Sequence, residues 1–281
     1  MIEYMGILLT NGDSFTQGDE LPGSRRLDEK GRPMPPIHHH RTYAHKLAKL
    51  LDVDYINLGA NGASNQKILR RGTTFLQKTS KEVDYMVIIW SSWGRLEIVS
   101  MDFRPTDEQV WIFQECNMNQ LIPDHYAGQL RFMLRPWNVN DSAEKKAKHQ
   151  QACIDWYKHA YTMATPILHH LNYMTIMQDM CDAKGIKLIQ GIIHYDLWYN
   201  VKYVLKEEDV LPFAVKEIKH YIKYLRPECK LGFGDGRDMT SIAESKPNCF
   251  LYPLGHPCEN THTYYAQMLY EIFNNISPGA P

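Results

Sequence analysis

Apolar residues gather into short dense runs at residues 6–10, 53–58, 85–90 and 186–193, and between the runs they recur at three- and four-residue spacing. Runs of that length bounded by turn residues predict strands buried on both faces, whereas the spaced segments predict helices. The first strand ends at Asn11-Gly12-Asp13-Ser14, and a loop rich in Pro, Gly and charge covers 18–40. Tyr43, Ala44, Leu47, Ala48, Leu50 and Leu51 lie at helical spacing and predict a helix over 41–51 before the second strand. A Gly-Ala-Asn turn at 59–64 opens a helix through Gln77, and the third strand follows. This alternation predicts a parallel sheet covered by helices on both faces, a three-layer α/β/α sandwich.

Residues 101–140 carry aromatics and prolines without sustained periodicity and predict an insertion. A helix starting at Asp141 or Ser142 and reaching Ala183 is expected next, with a break near Thr165-Pro166 because proline disfavours helix in the residue before it. Gly185 ends it, and 186–193 is the fourth strand. A helix is expected over 207–225, with Pro212 as an alternative start, and a terminal helix over 263–274. No repeat, low-complexity stretch or linker divides the chain, so 1–281 reads as a single domain with an insertion at about 101–140.

A chain of 281 residues, 44% hydrophobic and 22% charged, supports a large core and excludes a disordered or fibrous class. The formal charge of −1 provides no global pull toward nucleic acid or anionic lipid, so neither is expected as a partner. Six cysteines without a C-x-x-C pair fit a reduced compartment. Neither a signal peptide nor an apolar run of membrane-spanning length is apparent, which predicts a cytoplasmic or otherwise soluble protein.

A strand that stops at Gly12-Asp13-Ser14 delivers a serine hydroxyl to the C-terminal edge of a parallel sheet, where α/β proteins bind ligands. Serine is a weak nucleophile until a base takes its proton and donors receive the oxyanion. His256, followed by Pro257 and preceded by the apolar run Phe250-Leu251-Tyr252, is the candidate base.

These residues resemble the SGNH/GDSL hydrolases. Asn11-Gly12-Asp13-Ser14-Phe15-Thr16-Gln17-Gly18 is similar to the first block of that family, which carries the nucleophile. Asn57-Leu58-Gly59-Ala60-Asn61-Gly62-Ala63-Ser64-Asn65 resembles the second, whose glycine N–H joins the oxyanion hole; by spacing that glycine is Gly62. His256-Pro257, with His262 six residues after the base, resembles the last. The resemblance implies a flavodoxin-like sandwich, an ester hydrolase needing neither cofactor nor metal, and a small-molecule or glycan ester as substrate.

Two positions depart from the pattern. After the third strand, where Gly-x-Asn-Asp is expected, stands Ser91-Ser92-Trp93-Gly94-Arg95. Ser92 is the replacement donor there, Arg95 a candidate for holding an anionic group, and Asn61 or Asn65 a source of a substitute amide. Position 253, where the family has the aspartate that orients the base, is proline. A backbone carbonyl, or a carboxylate from elsewhere such as Asp235 or Asp238, is then needed. Asp13 can act as acid or base beside Ser14, or brace its turn.

Other features have simpler readings. His38-His39-His40 lacks a partner at ligand spacing, and His169-His170 reads as a packing and surface pair. Phe103, Trp111, Phe113, Tyr126, Phe132 and Trp137 read as a small core within the insertion, the alternative being a sugar-stacking wall. Lys216, Lys219, Lys223 and Arg226 form a solvated basic stripe, and Gly232-Phe233-Gly234-Asp235-Gly236 a flexible turn. Two functions follow: a serine hydrolase of small carboxylic esters, with carbohydrate O-acetyl groups the leading substrate, or a catalytically impaired ligand- or glycan-binding protein on the same fold.

Overall fold

The computed structural model describes residues 6–22, 40–79, 81–91, 96–98, 111–117, 131–134, 164–209, 211–253 and 255–276. In chain order the elements are β1 (Ile7–Gly12), α1 (Ser14–Gln17), α2 (Tyr43–Leu51), β2 (Asp54–Asn57), α3 (Asn65–Lys78) and β3 (Tyr85–Trp90). Then come β4 (Leu96–Ile98), β5 (Trp111–Asn117), β6 (Arg131–Leu134), α4 (Ala164–Asp182) and β7 (Lys187–Ile192). The last are α5 (Tyr195–Val204), α6 (Pro212–Tyr224), a 3₁₀ turn (Pro227–Cys229), α7 (Met239–Ser245) and α8 (Glu259–Asn275).

The expected parallel sheet is present, in the order β2-β1-β3-β7, with a single parallel bridge from Gly191 to Leu231 extending it beyond β7. This is the flavodoxin-like doubly wound order, whose ligand crevice lies outside the carboxyl ends of the strands. Every residue of β1 is buried, as are five of the six in β3 and in β7, which is why these strands read as unbroken apolar runs. β2, at the edge, is only half-buried.

Helices α2 and α8 pack together over one face of the sheet. Helices α3 and α4 cover the other, with α6 lying outside α4. The terminal helix is tied to α2 by His262, whose Nδ1 accepts the Tyr43 backbone N–H at 3.2 Å while the two rings stack. Within the sheet the Trp90 indole N–H donates to Gln190 Oε1 at 2.9 Å, and the Gln190 amide donates in turn to the Met174 carbonyl. Such pairing satisfies polar atoms that burial would otherwise penalise.

Several boundaries differ from expectation. β1 runs two residues further, through Gly12, so the turn begins at Asp13. The helix expected over 207–225 begins at Pro212, at its first turn, where the missing N–H is harmless. Helices α5 and α7 were not anticipated, and α8 starts at Glu259 rather than 263. α4 carries Pro166 within its first turn; residues 141–163 lie outside the described set. Of the insertion, the backbone of β4, β5 and β6 forms a separate antiparallel sheet in that order. The side chains of the six aromatics proposed for it lie outside the described residues.

His170 is buried and His169 exposed, as expected of a packing and surface pair. The glycine turn at 232–236 is held by Asp235, whose Oδ1 accepts the N–H groups of Gly232 and Arg237 at 2.9 Å each. No described helix is long and apolar enough to cross a membrane.

Candidate active site

Asp13 closes β1 and caps α1, its Oδ1 accepting the Phe15 N–H at 3.0 Å. Its other carboxylate oxygen accepts the Ser91 hydroxyl at 2.8 Å from the end of β3. Asp13 is wholly buried and both its oxygens are engaged, so of the two roles open to it the structure carries the bracing one. Ser14 follows at the sheet's carboxyl edge, 3% exposed. Its carbonyl receives the N–H groups of Gly18 and Asp19 at 2.9 and 3.0 Å, winding the chain into a tight turn in which Gly18 is left-handed at φ 85°. Only a residue without Cβ takes that conformation at no cost.

The segment after β2 is zipped to this turn. Asn57 donates its amide to the Thr16 carbonyl at 2.8 Å and accepts the Gly59 N–H at 2.8 Å. The Ala60 N–H reaches the Gly12 carbonyl at 3.1 Å, and the Asn61 N–H bonds Gln17 Oε1. Gly59 lies so close that a Cβ there would sit 2.6 Å from Gln17 N and 2.8 Å from Thr16 C. Gly62, at φ 67°, ends the turn. Among the described residues, neither the Ser14 nor the Gly62 N–H donates to any acceptor.

Asn65 was a candidate oxyanion donor, and the structure corrects that. Its Oδ1 accepts the Ser91 N–H at 2.8 Å while its Nδ2 donates to the Ser91 carbonyl at 3.0 Å and meets His170 Nδ1 at 2.8 Å. An amide has two hydrogens. Both are taken, and Asn65 instead pins the chain where it leaves β3. Asn61, the other amide, donates to Asp19 Oδ2 at 3.0 Å. Ser92 and Arg95 lie outside the described residues, as do His38 and His39; His40 is exposed. Among the described residues no cluster of three or more metal-ligating side chains occurs.

His256 is carried on a short hairpin in which Leu251 bridges Pro257 and the Tyr252 N–H donates to the His256 carbonyl at 2.7 Å. Its ring lies 5.5 Å, centroid to centroid, from that of Phe15, beside Ser14. No hydrogen bond joins Ser14 to His256 among the described residues. Neither proposed orienting aspartate reaches the base. Asp235 holds its own turn, and Asp238 caps α7, accepting the Ser241 N–H at 2.9 Å and hydroxyl at 2.6 Å. Burial pushes the Asp238 carboxyl up, against those bonds.

The partner His256 has is Glu20. Its Oε2 lies 2.8 Å from Nδ1 and 3.3 Å from the His256 backbone N, with the two side chains only 11% and 13% exposed. Asp19 Oδ2 stands 3.9 Å from the other ring nitrogen. Sequence reasoning missed Glu20 because it belongs to no block, although a carboxylate so near the serine was a signal. A second histidine, His194, follows β7, its ring centroid 5.8 Å from that of Phe15 and its Nδ1 2.9 Å from Thr240 Oγ1.

No family model matches the chain, and no curated protein matches it. Solved structures do. It is similar to an acetyl xylan esterase, Est2A, from the rumen bacterium Butyrivibrio proteoclasticus, at 15% identity and TM-score 0.42 over 98% of this chain and 64% of that one. It is similar to a G-D-S-L family lipolytic protein from Veillonella parvula at 13% identity and TM-score 0.43, over 97% of this chain and 100% of the other. A carbohydrate esterase family 2 enzyme from Corynascus thermopiles matches at 12% identity and TM-score 0.46, over 96% and 66%.

Proposed function

We propose that the chain is a serine hydrolase of small carboxylic esters. The observation that carries this reading is the interlock of the 13–18 and 57–62 turns at the sheet edge, together with the N–H groups of Ser14 and Gly62, which meet no acceptor among the described residues. Two such donors are what the oxyanion of acyl transfer requires. Ser14 Oγ attacks the ester carbonyl as its proton passes to His256 Nε2, and the oxyanion takes the two N–H groups. Collapse breaks the bond to the alcohol, which leaves with the proton from His256. Water, deprotonated by the same nitrogen, then releases the acid from the acyl-enzyme. The residues call on no metal or cofactor. O-acetyl groups on sugars are the substrate class to which the family resemblance points.

One observation favours a second reading, a ligand-binding protein on the same edge: with both Asn65 hydrogens occupied, that amide does not serve the hole. A fluorophosphonate probe separates the two. A hydrolase is labelled at Ser14, and Ser14→Ala and His256→Ala each remove labelling and turnover of 4-nitrophenyl acetate. Nucleophile and base act as one unit, so the double variant is no worse than either single one. An unlabelled wild type that binds acetylated oligosaccharide as tightly as Ser14→Ala establishes the second reading instead.

A further inference from the structure

We propose that Glu20 is the positioning carboxylate of His256, replacing the aspartate that position 253 lacks; the inference rests on the hydrolase reading above for its catalytic meaning. An ionised carboxylate only accepts hydrogen bonds. Glu20 Oε2 at 2.8 Å therefore keeps the proton on Nδ1, which leaves the Nε2 lone pair to receive the serine proton. The same oxygen also faces the backbone N–H of His256 at 3.3 Å, so one acceptor grips the residue at ring and main chain together and fixes the imidazole's orientation. Both side chains are mostly buried, where a charge-assisted bond of this kind is strongest.

The backbone bears this out. Glu20 has φ 62°, a left-handed conformation that costs a non-glycine residue free energy and persists only where its surroundings enforce it. Here they do: the Glu20 N–H donates to Asp19 Oδ1 at 3.1 Å, and the two preceding N–H groups are held by the Ser14 carbonyl. Asp19, tied by Asn61, stands 3.9 Å from Nε2, beyond hydrogen-bond length, and leaves that nitrogen open. Contacts that hold strain at one spot and aim a carboxylate at a distant histidine mark a positioning role.

The test combines nitrogen-15 NMR of the histidine side chains with the rate of fluorophosphonate labelling at Ser14. In the wild type His256 is expected as the Nδ1–H tautomer with a low-field Nδ1 proton. Glu20→Gln should lose that resonance and label about 10²–10⁴-fold more slowly, with kcat falling and KM moving less than about threefold. Glu20→Asp, which keeps the charge on a shorter arm, should recover part of the rate. Wild-type His256 in the Nε2–H form overturns the proposal without any variant. So does a folded Glu20→Gln that labels at the wild-type rate or keeps the resonance. If wild type is not labelled at all, the hydrolase reading fails separately, and the resonance and its loss still decide whether Glu20 positions the ring.

Discussion

Acidification should weaken the fold through one buried base, His170. Its ring packs edge-on to Trp90, its Nδ1 receives the Asn65 amide at 2.8 Å, and burial brings its pKa down from 6.5 to about 3. The unfolded chain protonates this histidine below pH ~6.5 whereas the folded protein resists until about pH 3, so its contribution is complete above the first value and lost on descent to the second. The slope is about 1.4 kcal/mol per pH unit, which gives about 3 kcal/mol lost by pH ~4.5 and a ceiling of about 5 kcal/mol. Other groups titrate in the same range, so the measurement is a difference: urea unfolding of wild type and His170→Gln at several pH values between ~7.5 and ~4.5. Gln preserves an acceptor for Asn65 and removes the titration. The variant should be less stable by about 1–3 kcal/mol at neutral pH, from imperfect packing and hydrogen bonding, and the gap should close or reverse at pH ~4.5. Two parallel curves would refute the reasoning, because they would mean that this imidazole protonates alike in both states.

Gly59→Ala forces a methyl against the backbone of residues 16 and 17; it should cost about 1–3 kcal/mol in thermal melting and slow Ser14 labelling at least about tenfold, and unchanged labelling would show that the interlock does not set the nucleophile. Ser91→Ala removes the hydroxyl that the buried Asp13 carboxylate accepts, with an expected loss of about 1–3 kcal/mol in urea unfolding; an effect below about 0.5 kcal/mol would mean that Asp13 finds another donor.

The strands were legible because burial on both faces removes every polar position from them, as in β3, where expectation and structure agree at 85–90. α8 was placed four residues late because its first boundary carries no sign: Cys258 caps it without a side-chain hydrogen bond, and cysteine is not a capping residue by propensity. α5 is rich in tyrosine and valine, residues that favour strands, and α7 is only seven residues long. For the candidate site, Ser14 and Gly62 could be proposed because each sits in a local turn whose residues stand side by side in sequence. Glu20 could not, since its partner is 236 positions away and the contact depends on a backbone twist that no periodicity records. Asp235 and Asp238 were natural guesses for the same role, but each is consumed by N–H groups within three residues. Asn65 failed for a related reason: a sequence displays an amide but not whether its hydrogens are taken.

The hairpin that carries His256 turns at Tyr252, whose carbonyl receives the Gly255 N–H at 2.8 Å, with Pro253 at the second position of that turn. Proline suits this place because its ring presets the required φ. In the proposed arrangement the orienting carboxylate comes from position 20, which would release position 253 from chemistry and leave it to mechanics. A ring stiffens the arm that holds the base, where an aspartate would have left it looser. The proposed base and the groups that touch it then lie on two pieces, one stretch of nine residues from Gly12 to Glu20 and one braced arm. A single relative movement between them would make or break the contacts of His256 with Phe15, Asp19 and Glu20 together, as a latch does.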